Sequence, residues 1–174
     1  MTKDLKQKIR KIKLVLLDVD GVLTDGGIYI DNRGNELKKF NVKDGSGISM
    51  AIHSGIQVGI ITGRKSRIVK KRAKELRIKL LFQGVKKKHY ILEKIINSLN
   101  INKDEIAYIG DDVIDLNIMK RVGLSITVMD GHKEVKKVAD IILQHKGGDG
   151  AVREFMDILL KEKGLWEKGF QRYS

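Results

Sequence analysis

Lys13-Leu14-Val15-Leu16-Leu17-Asp18-Val19-Asp20-Gly21-Val22-Leu23-Thr24-Asp25 decides the reading of this chain. A short apolar run bounded by charge reads as a strand buried on both faces, the kind found at the centre of a parallel sheet. It ends in one carboxylate, Asp18, and a second, Asp20, follows two residues later. Open α/β folds bind ligands beyond the carboxyl ends of their parallel strands. Asp18 is therefore expected to point into that crevice, with Asp20 on the turn beside it.

Working outward, the pattern repeats. Residues 57–62, 80–83, 106–110 and 125–129 read as further strands, and 139–143 as a short last one. Helical patterns lie between them, at 47–54, 88–99, 112–122 and 149–161. Another follows Ser66, a plausible N-cap ahead of the stripe Val69, Ala73 and Leu76. The alternation predicts an α/β fold, a three-layer sandwich with a central parallel sheet. One insertion interrupts it. Residues 26–40 carry the turn-rich run Asp31-Asn32-Arg33-Gly34-Asn35 between two strand-like halves, which predicts a β-hairpin. A lone hairpin is marginal in water, so it is expected to pack on its own body or on another subunit. The 174 residues suit a single domain, 1–174, ending in an aromatic, basic tail at about 163–174. Trp166, Phe170 and Tyr173 there suggest docking on something rather than fraying.

Composition narrows the chemistry. There is no cysteine, which excludes disulfides, thiolate metal sites and cysteine nucleophiles. With four histidines, a metal here is expected on oxygen ligands. No stretch approaches the roughly 20 apolar residues of a membrane span, so a soluble, cytoplasmic protein with no membrane partner is expected. The net charge of +13 is uneven. Lys3, Lys6, Lys8, Arg10, Lys11 and Lys13 crowd the N-terminus, and residues 64–79 hold nine Lys or Arg against Glu75 alone. Such a balance invites a nucleic-acid partner or an anionic small molecule. The helix after Ser66 sets Arg67, Lys70, Lys71, Lys74 and Arg77 opposite its apolar stripe, as a solvated face would. Aromatic residues, the usual base-stacking platforms, make up only 5% of the chain, which argues against nucleic acid.

Three further strand ends carry chemistry. Thr62-Gly63 offers a hydroxyl and a backbone N–H to a phosphate oxygen, with Arg64 next in line. Lys88 stands where a helix begins and could neutralise a phosphoryl group, although Lys86 and Lys87 compete for that role. Gly110-Asp111-Asp112-Val113-Ile114-Asp115 clusters acids after a tight turn, where Asp111 or Asp112 could take a hard divalent cation such as Mg²⁺. Asp115, a helical turn further on, could steady the ligands or Lys88. Helix capping accounts for one of these acids more comfortably than for three.

These four elements, in this order, resemble the haloacid dehalogenase-like phosphohydrolases. Asp18-x-Asp20-Gly21-x-x-Thr24 is similar to their first motif, Thr62 to the second, Lys88 to the third and Gly110-Asp111-Asp112-x-x-Asp115 to the fourth. The resemblance implies a Rossmannoid fold, with Asp18 as nucleophile and Asp20 as general acid and base. It implies Mg²⁺ on Asp18, Asp111 and the main-chain carbonyl of Asp20. Thr62 and Lys88 would cradle the phosphoryl group, and Asp112 and Asp115 would support the ligands. The hairpin stands where many members carry a cap domain.

Finer details are Phe40-x-x-x-Asp44-Gly45, Thr62-Gly63-Arg64, Phe82-Gln83-Gly84 and Gly147-Gly148-x-Gly150-Ala151-x-Arg153-Glu154. With the first motif they resemble the uncapped members that act on phosphorylated sugar acids. That implies a phosphorylated eight-carbon sugar acid as substrate, with nine-carbon sugar acids or polynucleotide ends as alternatives. It further implies a homo-oligomer, a tetramer joined through the hairpins. Thr24, Gly63, Arg64 and Arg153 are the substrate-binding candidates, with Arg64 at the sugar-acid end. For Arg153 a structural pairing with an acidic side chain is the alternative.

Overall fold

A computed structural model of the chain describes residues 1–171. Its elements run in chain order as α1 (Lys3–Lys11), β1 (Leu14–Leu17), β2 (Tyr29–Ile30), β3 (Glu36–Leu37), α2 (Val42–His53), β4 (Gln57–Ile61), α3 (Arg67–Glu75) and β5 (Leu80–Phe82). They continue with α4 (Lys88–Leu99), β6 (Ile106–Gly110), α5 (Leu116–Met119), β7 (Leu124–Thr127), α6 (Lys133–Lys136), β8 (Ile141–Ile142), α7 (Ala151–Glu162) and α8 (Trp166–Phe170). Six strands form one parallel sheet in the order β5-β4-β1-β6-β7-β8, and β2 pairs antiparallel with β3 as the expected hairpin.

All four residues of β1 are buried because both faces of the sheet are covered. Alternate side chains serve opposite layers. Val15 and Leu17 join the core with Ile9, Ile48, Val69, Val152, Phe155 and Leu159 of α1, α2, α3 and α7. Leu14 and Leu16 join the other core with Leu92, Ile95, Ile118, Met119 and Val135 of α4, α5 and α6. Strand β1 lies between β4 and β6, with Leu17 level with Ile60 and Ile109. The chain thus leaves the sheet beside its order reversal, the place where such folds bind ligands. Asp18 follows β1, Thr62 follows β4, Asp111 follows β6, and Lys88 opens α4 after β5.

Several local expectations shift. Within residues 1–13, read as a basic stretch, Lys3–Lys11 form α1, capped by the Thr2 hydroxyl accepting from the Leu5 N–H at 3.3 Å. Its cations lie against acids of other elements: Lys6 and Arg10 on Glu162, and Lys8 on Asp140. Helix α2 begins five residues earlier than expected because Asn41 caps it, accepting from the Lys43 N–H. Ser66 precedes α3, but its hydroxyl makes no cap; the Gln83 side chain instead accepts from its backbone N–H at 2.8 Å. Residues 112–122 form a 3-10 turn, Val113–Asp115, and then the short α5, because Asp112 and Asp115 bond backbone N–H groups of the turn itself. The tail docks on its own chain. The Trp166 ring lies 5.6 Å from Phe170, with the Lys161 ammonium 4.6 Å from its centre, and Leu165 accepts from the Ser54 hydroxyl. Tyr173 lies outside the described residues. No helix among the described residues is long and apolar enough to cross a membrane.

The loop before α7 is pressed onto the turn that carries Asp20. The Gly148 N–H donates to the Val22 carbonyl at 2.9 Å, and a Cβ on Gly147 would lie 1.8 Å from the Gly21 carbonyl oxygen. Gly147→Ala is therefore expected to force the two loops apart and to cost about 1–3 kcal/mol of stability, read from urea unfolding. An unchanged midpoint would show that this close approach does not constrain the turn.

Candidate active site

Asp18 is the floor of the site. It is 4% exposed, and its two oxygens are both engaged. Oδ1 accepts from the Val19 N–H at 2.7 Å, and Oδ2 lies 2.6 Å from the Lys88 ammonium. Lys88 is as deeply placed and reaches further, to Asp115 Oδ1 at 2.7 Å and the Tyr108 hydroxyl at 3.0 Å. Tyr108 donates to the same Asp115 oxygen at 2.7 Å. The other oxygen of Asp115 accepts from the Asp111 N–H at 3.1 Å. Asp115 therefore serves both the cation and the loop, and no Cβ fits at Gly110, where it would meet the Asp115 carboxyl at 2.6 Å.

Around this floor is an open cleft of about 280 Å³ lined by Asp18, Asp20, Gly21, Thr62, Gly63, Arg64, Asp111 and Asp112 among others. Thr62 is buried, and its oxygen accepts from the Arg64 N–H at 3.4 Å. That leaves the hydroxyl proton to be donated. Asp112 is exposed and accepts from the Val113 N–H, so it shapes the turn. Two of the substrate-binding candidates fall outside the cleft. Thr24 is buried beneath the loop, where its hydroxyl donates to the Val19 carbonyl and accepts from the Gly21 and Gly26 N–H groups. Arg153 lines a separate groove and pairs with Asp157 at 2.6 Å, the structural alternative weighed from the sequence.

Three side chains here were not singled out from the sequence. Tyr108 sits inside a strand, where it reads as core. Glu36 and Lys38 belong to the hairpin; Lys38 pairs with Asp20, and Glu36 accepts from Arg64 at 2.7 Å. The alternation along 36–38 was the available signal, since two charged residues flank one apolar residue.

Crowded carboxylates give the site its electrostatics. Burial pushes the Asp18 carboxyl up to about 6, against the pull of Lys88, with Asp115 adding to the rise. Burial likewise raises Asp111 to about 8, and Asp18, Asp115 and Asp112 reinforce it. Burial works against the charge of Lys88, but Asp18 and Asp115 outweigh it and its pKa rises. Oxygens of Asp18, Asp111 and Asp115 lie within 4.8 Å of one another. Asp18 and Asp111 line the cleft, whereas Asp115 is fully buried beneath it, so Asp18 and Asp111 are the pair that face a cation there. Gly21 keeps the room open: a Cβ there would lie 2.1 Å from Asp111 Oδ2. Such an all-oxygen, acid-rich set suits a hard divalent ion of the Mg²⁺ kind.

Comparison with known proteins agrees with this geometry. Residues 78–156 match the haloacid dehalogenase-like hydrolase family model. The chain is 47% identical over 161 residues to 3-deoxy-D-manno-octulosonate 8-phosphate phosphatase KdsC of Escherichia coli, covering 92% of this chain and 86% of that protein. The crystal structure of the phosphatase of that name from Yersinia pestis superposes with a TM-score of 0.94 at 42% identity, covering 96% of this chain and 90% of that one. The enzyme from Moraxella catarrhalis, crystallised in complex with magnesium ion, phosphate ion and KDO, superposes with a TM-score of 0.95 at 38% identity over the whole of both chains.

The raised carboxyls make stability depend on pH in a set direction. From the ordinary carboxylate range up to about 6 for Asp18, and up to about 8 for Asp111, the folded protein holds a proton that the unfolded chain has released. The stabilisation from these groups is present at low pH and is lost as pH rises through about 6 and then about 8. With chelator present, the urea midpoint is expected to fall from about pH 5 to about pH 9, and Mg²⁺ is expected to restore it most at the alkaline end. A midpoint that climbs across this window in chelator would refute the crowding account.

Proposed function

The chain belongs to the haloacid dehalogenase-like hydrolases, among their 3-deoxy-D-manno-octulosonate 8-phosphate phosphatases, and from that premise we propose that it hydrolyses 3-deoxy-D-manno-octulosonate 8-phosphate to the free sugar acid and phosphate. This reaction serves the supply of a lipopolysaccharide sugar. The observation that carries the reading is Asp18 held on Lys88 at the floor of an open cleft that Asp20 and Asp111 also line.

Asp18 acts as the nucleophile. The Val19 N–H and Lys88 fix its two oxygens, so little reorganisation precedes attack on phosphorus. The P–O bond to the sugar breaks as the bond from Asp18 forms, and Asp20 delivers a proton to the departing alkoxide. Asp20 then takes a proton from water, which attacks the aspartyl-phosphate and returns free Asp18 and phosphate. Lys88, the Thr62 hydroxyl and the Gly63 N–H face the charge that gathers on the phosphoryl oxygens. Asp18, Asp111 and the carbonyl of Asp20 would hold Mg²⁺, whose charge offsets repulsion between an anionic nucleophile and an anionic phosphate. Arg64, on the outer side of the cleft, takes the carboxylate of the sugar acid.

Oligomerisation through the hairpin belongs to the same reading. Ile28, Tyr29, Ile30 and Leu37 are all at least 45% exposed on a two-stranded ribbon. Ribbons of this size are marginal alone, and contiguous apolar surface marks an interface. A tetramer assembled at these faces would cover them.

Phosphate release from a panel of sugar-acid phosphates tests the reaction. Turnover is expected to require Mg²⁺, to fall at least about 10³-fold in Asp18→Asn, and to fall about 10²–10³-fold in Lys88→Met. Wild-type turnover in Asp18→Asn would defeat the mechanism. For the assembly, Ile30→Glu with Leu37→Glu is expected to shift the protein to smaller species in sedimentation; a wild-type chain that is monomeric at working concentration would refute it.

A further inference from the structure

The hairpin does more than present an apolar face. Glu36, in β3, and Lys38, just past its end, are two apart and turn to one side of the extended chain, while Leu37 between them points outward and is 60% exposed. The Lys38 side chain is 2% exposed and pairs with Asp20. Its ammonium also lies 3.5 Å from Glu36 Oε1, and that same oxygen accepts from Arg64 Nη2 at 2.7 Å. Charges therefore alternate along Arg64, Glu36, Lys38 and Asp20. The chain of pairs runs from the residue assigned to the sugar-acid end to the residue assigned to the leaving group.

We infer that Glu36 is a specificity-determining residue, an internal carboxylate that occupies Arg64 in the free protein and is exchanged for the carboxylate of the substrate. The inference rests on the proposed reading in which Arg64 takes the acid end. In the free protein the Arg64 guanidinium is already neutralised. A sugar phosphate without a carboxylate has nothing to exchange and gains nothing from Arg64. A sugar-acid phosphate replaces one charge-assisted hydrogen bond with another at the same guanidinium. The displaced Glu36 is not stranded, because Lys38 is within reach. Glu36 thus opposes the binding of acid substrates through Arg64 and leaves neutral ones indifferent, so its charge sets how strongly the enzyme discriminates between the two.

The test is steady-state kinetics of the wild type and Glu36→Gln on the sugar-acid phosphate and on an aldose phosphate lacking the carboxylate. Glu36→Gln is expected to lower KM for the sugar-acid phosphate about two- to fivefold, the range of a half-exposed ion pair, and to raise the kcat/KM ratio of acid over neutral substrate by a similar factor. In an Arg64→Ala background the same substitution is expected to leave that ratio unmoved. Should Glu36→Gln melt early, Glu36→Asp, which keeps the charge but retreats from Arg64, is expected to shift the ratio in the same direction by a smaller factor. A ratio that stays level or falls, or a shift that persists without Arg64, overturns the role of Glu36. If the wild type does not turn over sugar-acid phosphates at all, the proposed function fails and this inference falls with it. Normal turnover with an unresponsive ratio sinks this inference alone.

Discussion

A buried ammonium between two buried carboxylates is the constraint on which the rest of this structure depends. Lys88 lies within 2.7 Å of both Asp18 and Asp115, and all three are buried. Removing one partner of such a cluster leaves an uncompensated charge in the interior, which is among the most destabilising single changes known. The fold therefore has to deliver the three side chains together. They come from the end of β1, the start of α4 and the turn after β6, all at one edge of one parallel sheet. Tyr108 and the Asp111 N–H take up the remaining capacity of Asp115, so the cluster is satisfied on its inner side.

On its outer side the cluster is deliberately short of positive charge. Burial drives the Asp111 carboxyl up to about 8, and the nearby Asp18 and Asp115 carboxyls reinforce it against the pull of Lys88. A divalent ion is the natural complement of that deficit. The same deficit gives meaning to the bare glycine at position 21, because a side chain there would collide with Asp111. The loop of Gly147 and Gly148 presses on this turn from outside, so the position of Asp20 depends on residues more than a hundred places away in the chain.

Much of this was legible in the sequence because its signals are local. An apolar run ending in Asp is a buried strand meeting a ligand edge, and Thr62, Lys88 and a second acid cluster following three later strands in order are difficult to explain otherwise. Strands β1, β4, β5 and β6 and helix α4 lie where periodicity puts them. The departures have equally local causes. Asn41 capped α2 early, and the acids after β6 bonded their own turn, leaving only four residues to α5. The N-terminal helix was obscured because charge dominates composition there, although Ile9 carries its buried face. The Trp166 and Phe170 tail found its docking surface on α2 and α7, which no local pattern could specify.

The sequence by itself determined the layers, the edge of the sheet at which chemistry occurs and the carboxylates gathered there, while leaving Lys86, Lys87 and Lys88 as rivals for the cation. Strand periodicity and strand ends are properties of neighbouring residues, so they can be read along the chain. Only the tertiary structure decided who pairs with whom. Tyr108 became a partner of Lys88 rather than anonymous core, Thr24 turned beneath its loop, Arg153 paired with Asp157 in another groove, and Glu36 and Lys38 folded back onto Arg64 and Asp20. Those outcomes depend on distances between segments far apart in the chain, set by how the layers pack, and no spacing within a single segment encodes them.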